Sequence, residues 1–478
     1  MNSEEFKKHG YQIVDWIADY MENVEAYPVK PSVNPGDILE ELPETPPLTG
    51  EPFQDLMDDF ESTIVPGMTH WQHPRFMGYF PANNSAPSIL GEMLTAALGA
   101  QCMSWLTSPA ATELEERVME WLRDMIGLPD QFTGVIQDTA STATLVALLS
   151  AREQISDFKI NEQGFPRDDQ YAVYCSTETH SSIEKDVKIA GFGRQALRKI
   201  PVDSEYAIRP DLLEEAIQKD LNDGVTPVAV VAALGTTGST AIDDVERLGK
   251  LCKQHGIWLH VDAAFAGTAL LLPEYRSMIE GIEHADSFVF NPHKWMFTNF
   301  DCSAYYVKDV ETLLRTFEIL PEYLKTSADR TVNNYRDWGI QLGRRFRALK
   351  LWFVIRSYGV EGLQKKLRYH LTLTDEMVKK LTEHPDYELL APVPLNTICF
   401  RYNPNGADLT NKQLNSLNAS ILTRIQDEAF AFLTHTKLDG QYTIRMVIGQ
   451  TNVQRKHVEQ VWKHIQKISS EILTEHQS

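Results

Sequence analysis

Ser287-Phe288-Val289-Phe290-Asn291-Pro292-His293-Lys294-Trp295 is an apolar run of strand length that ends in a proline turn and presents one lysine beside a histidine. A parallel strand buried on both faces reads as such a run. In an open sheet of this kind ligands sit beyond the carboxyl ends of the strands, which is where Lys294 projects. A lysine that acts as a nucleophile must be partly desolvated, so that a fraction of it is neutral at working pH. The plain alternative is a solvated loop lysine, and the neighbouring segments have to decide between the two.

In Leu259-His260-Val261-Asp262-Ala263-Ala264 an acid terminates an otherwise apolar strand, and two small residues follow it. A buried carboxylate needs a partner; a protonated ring nitrogen is one, and the cap of the next turn is the simpler one. Asp138-Thr139-Ala140-Ser141-Thr142-Ala143-Thr144 follows a third apolar run and opens a helical stretch over 145–151. Its amides and hydroxyls suit a phosphate, or merely cap the helix. The glycine and lysine pattern of a Walker loop is absent. Three such features at strand ends support one another more than each would alone. Thr177-Glu178-Thr179-His180-Ser181-Ser182 also follows a strand-like run and brings His180 to the same crevice; a single histidine is more often structural and gains weight only from this company.

Working outward, candidate strands fall at 134–137, 171–175, 228–234, 258–262, 287–290 and 304–307, alternating with helix-like stretches. That alternation predicts α/β architecture: a mainly parallel central sheet with helices on both faces. One crossover is legible in detail, because Asp243 and Asp244 can cap a helix whose inner stripe is Val245, Leu248, Leu251 and Cys252, and His255-Gly256 stops it. Ahead of this region lies a helical arm with Phe6, Ile13, Trp16, Ile17, Tyr20 and Val24 at helical spacing, then a linker broken by Pro28, Pro31, Pro35, Pro43, Pro46, Pro47 and Pro52. The reading divides the chain into an N-terminal helical arm and linker over 1–85, a large domain over 86–370 and a small C-terminal α+β domain over 371–478.

At 478 residues, with 43% hydrophobic and 23% charged residues, the chain is long enough for a large core and has no disordered majority. Sixty-six acidic against 45 basic residues give a net charge of -21, which disfavours nucleic acid or an anionic membrane surface as partner. The five cysteines are scattered, with no Cys-x-x-Cys pair, so neither a disulfide framework nor a metal site is expected. No secretory leader or long apolar span is visible, and the expected location is the cytoplasm.

Together these segments resemble the group II pyridoxal-phosphate (PLP) decarboxylases, and most closely the aromatic-L-amino-acid decarboxylases. The likeness runs over nearly the whole chain through His70-Trp71-Gln72-His73-Pro74, Tyr79-Phe80-Pro81, Ser104-Trp105, Ser108-Pro109-Ala110, Leu234-Gly235-Thr236-Thr237, Asn291-Pro292-His293-Lys294, Asn299-Phe300-Asp301-Cys302-Ser303 and Leu342-Gly343-Arg344-Arg345-Phe346. It implies the fold-type-I PLP architecture, as a homodimer with active sites shared between subunits. It further implies that Lys294 carries the cofactor as a Schiff base, that Asp262 pairs with its ring nitrogen and that His180 stacks on the ring. Ala140, Ser141, Asn291 and His293 would hold the phosphate, with Gly343 contributed by the neighbouring chain, while Thr237 and Ala264 line the ring. Trp71, Tyr79, Phe80 and residues Gln101, Cys102 and Met103 would shape the substrate pocket. Tyr323, in a polar loop over about 318–335, matches the tyrosine that the family uses as proton donor.

The activity implied is loss of the α-carboxylate of an aromatic L-amino acid as CO2, leaving the arylalkylamine. Gln101, Cys102 and Met103 depart from the isoleucine, glycine and phenylalanine usual in animal relatives, and Ala82 replaces a threonine that reaches a catechol. Gly343 stands where phenol-selective plant relatives place serine, so the expected order is tryptophan or 5-hydroxytryptophan, then DOPA, then tyrosine or phenylalanine. The rival readings are a glutamate or cysteine-sulfinate decarboxylase, an oxygen-consuming aromatic aldehyde synthase on the same scaffold, and a PLP-binding scaffold without turnover. Trp71, Tyr79, Phe80 and Trp105 speak against the acidic substrates, which would call for an arginine; Tyr323 and His180 speak for simple decarboxylation.

Overall fold

The computed structural model describes residues 1–319 and 332–477. By contact the chain forms two compact units, one of residues 82–374 and 390–399, the other of residues 1–81, 375–389 and 400–478.

The larger unit is built on seven strands: β1 Thr133–Gln137, β2 Gln170–Ser176, β3 Leu197–Ile200, β4 Val225–Ala233, β5 Trp258–Asp262, β6 Ser287–Phe290 and β7 Ser303–Val307. Their order is β1-β7-β6-β5-β4-β2-β3. β7 runs antiparallel to both its neighbours, and the remaining pairs are parallel. The carboxyl ends of β1, β2, β4, β5 and β6 therefore open on one edge of the sheet. The inner strands are apolar almost throughout, as burial on both faces requires. Pro227 interrupts β4 without breaking it: it has no N–H for the ladder, and the register with β2 shifts beside it, between Ala172 and Val173.

The six expected strands are present, with ends moved by at most a few residues; β3, a short edge strand of sequence Leu-Arg-Lys-Ile, carries too little apolar pattern to be read in advance. The crossover helix Val245–His255 starts at Asp244, whose carboxylate accepts from the Arg247 amide at 3.0 Å, and ends at Gly256 in the left-handed region at φ 66°. Asp243 does not share the capping. It is buried and accepts from the amides of Ile208 and Ala233 at 2.8 and 2.7 Å, with burial raising its pKa to about 6.

In the smaller unit the helix Ser3–Asn23 is closed by a capping box between Asn2 and Glu5. A four-stranded sheet has the order β10-β11-β9-β8, with β8 Tyr387–Leu389, β9 Thr397–Tyr402, β10 Thr434–Leu438 and β11 Gln441–Val447. The helix Asn411–Asp427 packs on β11 and on the helix Arg455–Gln477. Among the described residues no helix is long and apolar enough to cross a membrane, and no group of His, Cys, Asp and Glu forms a metal cluster. The five cysteines are buried free thiols.

One buried ion pair fixes the first strand of the large sheet. Arg344 meets Glu115 through two nitrogens, at 2.6 and 3.2 Å, and also donates to the Ile136 carbonyl, while Glu115 accepts from the Ile136 amide at 2.8 Å. Both side chains are nearly inaccessible. Removing one partner leaves the other charged and unpaired, so Glu115→Leu is expected to cost about 3–5 kcal/mol of stability, read as a lower urea midpoint; an unchanged midpoint would contradict this account.

Candidate active site

Lys294 lies in the one-turn helix Pro292–Trp295, immediately beyond β6. Its amide donates to the Asn291 carbonyl at 2.9 Å, and the next residue anchors the turn. Trp295 is fully buried, stacks on Phe265 with centroids 5.2 Å apart and donates from Nε1 to His370 Nδ1 at 2.9 Å. The turn is thus held by an aromatic residue in the core, and Lys294 is directed at the crevice by packing. Lys294 is itself half-buried; desolvation pushes its ammonium below the ordinary lysine range, and the Asp262 carboxylate opposes that shift.

Asp262 ends β5, paired in register with Val289 of β6. The Ala263 amide donates to the Val289 carbonyl at 2.9 Å, the Ala264 amide to Asp262 Oδ1 at 3.0 Å, and the Asn291 amide to the Ala264 carbonyl at 3.1 Å. Asp262 therefore caps the turn that follows β5, at the same sheet edge as Lys294. His180, beyond β2, stands exposed at the same edge. Its Nδ1 accepts from the Ser182 amide at 3.2 Å and lies 2.8 Å from the Ser182 hydroxyl, so Nε2 carries the ring proton. Desolvation holds its pKa below the usual range; Asp262 raises it, and Lys294 and Lys185 lower it. The imidazole is accordingly neutral at pH 7.

The helix Ala140–Ile155 begins one residue after its cap, Thr139, whose hydroxyl accepts from the Thr142 amide at 3.3 Å. The amides of Ala140 and Ser141 belong to its first turn, where no intrahelical carbonyl is available to them. Asn291 is buried with Oδ1 2.7 Å from the Ser303 hydroxyl. His293 is buried with Nδ1 accepting from the Cys302 amide at 2.9 Å, and burial, reinforced by Lys294, lowers its pKa to about 3, leaving a neutral ring with a donor at Nε2. Thr237 is exposed after β4. An amine, a carboxylate facing it and a helix N-terminus with a neutral imidazole donor nearby form a donor set that fits a phosphorylated pyridine aldehyde.

Gly343 is exposed; a Cβ added there would come to 3.1 Å from Gln101 Nε2. Gln101 Oε1 accepts from the Arg344 amide at 2.8 Å, Cys102 donates from its amide to the Arg344 carbonyl at 3.0 Å, and the Met103 carbonyl accepts from Arg336 at 2.8 Å. Residues 101–103 are thus laced to the segment that carries Gly343. Ala82 is half-buried at the start of this unit. Trp71, Tyr79 and Phe80 belong to the smaller unit. There Trp71 stacks on Tyr79 at 5.6 Å, Tyr79 on Phe432 at 5.9 Å, and Arg445 lies over the Phe80 ring at 5.5 Å. Tyr79 adopts φ 52° and remains half exposed, an aromatic surface held by its neighbours. Tyr323 lies outside the described residues.

Sequence reading passed over the layer beneath Asp262. His260, on the same face of β5, is completely buried; its Nε2 lies 3.0 Å from the Thr144 hydroxyl and its Nδ1 2.8 Å from the Ser287 hydroxyl, which also accepts from Trp258 Nε1 at 2.8 Å. The period of two along β5 was the available signal. Desolvation lowers the His260 pKa from 6.5 to about 4, against the pull of Asp262. Between those values the unfolded chain binds the proton that the folded one refuses, so stability is complete above about pH 6.5 and falls on acidification. His260 is expected to contribute about 3 kcal/mol of that acid loss. Urea denaturation at pH 7 and at pH 4 should show His260→Gln losing less than the parent by that amount; equal losses would contradict the assignment.

Residues 35–403 match the pyridoxal-dependent decarboxylase conserved domain. Over 483 residues, 99% of this chain and 97% of the relative, the sequence is 42% identical to phenylacetaldehyde synthase of Arabidopsis thaliana. Aromatic-L-amino-acid decarboxylase of Mus musculus is 40% identical over 489 residues, 99% of each chain. The crystal structure of Catharanthus roseus tryptophan decarboxylase in complex with L-tryptophan superposes with a TM-score of 0.93 at 37% identity, covering 99% of both chains. The mainly parallel sheet with its helices and the small antiparallel sheet constitute the type-I fold of PLP-dependent enzymes. With the cofactor donor set assembled at the carboxyl edge of such a sheet and the family domain matched over most of its length, the chain belongs to the pyridoxal-dependent decarboxylases.

Proposed function

We propose that this enzyme is a carboxy-lyase that converts an aromatic L-amino acid to its arylalkylamine and CO2, with tryptophan or 5-hydroxytryptophan preferred over DOPA, and DOPA over tyrosine or phenylalanine. The observation that carries the reading is the pairing of a desolvated Lys294 amine with Asp262 at the sheet edge, in a chain similar over its whole length to enzymes named for aromatic amino acids. Pyridoxal phosphate, when bound, supplies an electron sink for the pair left behind as the carboxylate departs.

The residues divide the remaining work. Lys294 offers a partly neutral amine to hold the cofactor, Asp262 keeps the ring nitrogen protonated, and His180, neutral and bearing its proton on Nε2, covers the ring face. Ala140, Ser141, Asn291 and His293 hold the phosphate, Thr237 and Ala264 flank the ring, and Tyr323 returns a proton to Cα. Exclusion of water belongs to the loop that bears Tyr323. Trp71, Tyr79, Phe80, Ala82, Gln101, Cys102 and Met103 shape the side-chain pocket. A homodimer with shared sites supplies Gly343 from the neighbouring chain. Support for the dimer comes from the apolar residues left open on a single chain: Leu90, Met93, Leu94 and Leu98 on the helix Ala86–Leu98, and Phe6 and Tyr11 on the N-terminal helix. The cytoplasm is the proposed compartment, in keeping with five free thiols.

The deciding assay incubates the purified protein and PLP with a panel of aromatic and acidic amino acids and measures amine, CO2 and peroxide together. Aromatic amines should dominate; GABA or hypotaurine as the main product would overturn the substrate class. The relative named phenylacetaldehyde synthase makes the oxygen-consuming reaction the second reading, for which peroxide and ammonia accompany the CO2. Tyr323→Phe is expected to divert product from amine toward aldehyde and peroxide, and unchanged amine output would remove Tyr323 from the proton-donor role. Gly343→Ser should crowd the Gln101 amide and shift kcat/KM from indole toward phenol substrates by about tenfold, the size of a pocket-shape effect; an unaltered ratio would take Gly343 out of substrate selection.

A further inference from the structure

Beneath the crevice three elements meet at one buried imidazole. His260, Thr144 and Ser287 are all buried. His260 Nε2 lies 3.0 Å from the Thr144 hydroxyl, its Nδ1 lies 2.8 Å from the Ser287 hydroxyl, and that hydroxyl also accepts from Trp258 Nε1 at 2.8 Å. A neutral imidazole offers one donor and one acceptor, and a hydroxyl can take either role, so both bonds close whichever nitrogen bears the proton. Filling the core does not call for such a group. Ala143, Val146 and Ala147 of the helix already join Val231 and Val289 of the sheet in one apolar cluster, and a polar side chain enters such a cluster at a cost unless it is fully bonded. What the two bonds add to the apolar contacts is direction.

Each of the three elements carries, a short way along, one group proposed for the cofactor. On the helix Ala140–Ile155, Thr144 follows Ala140 by four residues, about 6 Å along the axis. On β5, Asp262 follows His260 by two residues on the same face, about 7 Å further along the strand. On β6, Ser287 is paired in register with His260, and the turn that bears Lys294 begins beyond the last residue of the strand, Phe290. The Thr144–His260 bond is therefore the base of a wedge whose two arms, of nearly equal length, end at the amides of Ala140 and Ser141 and at the Asp262 carboxylate. Apolar contacts leave a helix free to slide over a sheet; a hydrogen bond at the base sets its height. We propose that His260 is a positioning residue for the cofactor: by tying Thr144 to Ser287 it fixes the spacing between the Ala140 and Ser141 amides and Asp262, so that one rigid ligand engages both ends at once. The inference rests on the reading of those groups as partners of the phosphate and of the ring nitrogen.

Two linked groups bind more tightly together than apart only where the spacing of their sites matches the linkage. The whole ligand is pyridoxamine 5'-phosphate, whose amine does not condense with Lys294, titrated calorimetrically into the full-length chain freed of cofactor. Its parts, pyridoxamine and inorganic phosphate, are measured by their competition with the whole. Thr144→Val keeps the shape of the side chain and removes the bond: it should weaken the whole ligand about tenfold while leaving each part within about twofold of the wild type. Thr144→Ser, which keeps the hydroxyl, should bind as the wild type does. His260→Leu should show the same split between whole and parts, and Thr144→Val added to it should cost nothing more, because the tie is already gone. A histidine with no part in cofactor geometry gives a different pattern. Equal losses for the whole and its parts, or no loss at all, overturn the proposal, as does a further loss in the double variant. The reading on which it rests is tested apart from it: inorganic phosphate that fails to compete in the wild type, or pyridoxamine binding that Asp262→Asn leaves unchanged, would end that reading whatever Thr144 and His260 do.

Discussion

An amine has to be kept out of water, yet near enough to a negative charge that it is not driven wholly neutral, and the large unit is organised around that requirement. Desolvation lowers the Lys294 pKa and Asp262 raises it, so the lysine is poised by two opposed effects. The balance survives only if both groups are immobile. β5 and β6 supply that rigidity, because adjacent parallel strands bring Asp262 level with Val289 and the Lys294 turn follows within five residues. Trp295, locked between Phe265 and His370, prevents the turn from relaxing.

Neutrality elsewhere in the crevice serves the same end. His180, His260 and His293 all lie below their ordinary range, each chiefly through desolvation. Charged imidazoles there would compete with the lysine for Asp262; as neutral rings they act as donors, acceptors and flat surfaces. Their tautomers are set from the backbone for His180 and His293, where an amide N–H occupies Nδ1 and leaves the proton on Nε2. The protein thus arranges polar but uncharged rings around the carboxyl ends of β2, β5 and β6. Arg344 and Glu115 stabilise β1 in a comparable way, as a closed pair that presents no net charge to the interior.

How much of this was legible depended on how local the cause was. The apolar runs of β1, β2, β4, β5, β6 and β7 are visible because strands covered on both faces must be apolar throughout, whereas β3 at the sheet edge carries Arg198 and Lys199 and gives no such signal. Asp244 could be named as a cap, but its neighbour Asp243 could not be separated from it, since what distinguishes them is a pair of amides at Ile208 and Ala233 brought in by the fold. The placement of Lys294 and Asp262 at strand ends was readable from the apolar runs alone. The Thr144–His260–Ser287 layer joins three elements distant in sequence and was not. Likewise, the grouping of the first 81 residues with the C-terminal segment depends on contacts such as Phe76 with Phe432, which no short pattern announces.

On the proposed function, selectivity and chemistry fall to different parts of the chain. The residues proposed to hold the cofactor lie at strand ends of the large unit, while Trp71, Tyr79 and Phe80, proposed for the substrate pocket, are held in an aromatic cluster of the smaller one. Under that proposal substrate preference would be free to change without disturbing Lys294. The claim beneath all of this is that Lys294 is the amine that takes up the cofactor. Borohydride reduction of the PLP-loaded protein followed by peptide mass spectrometry tests it most directly: the account predicts a stable phosphopyridoxyl label on Lys294, and a label on another lysine, or none, would contradict it.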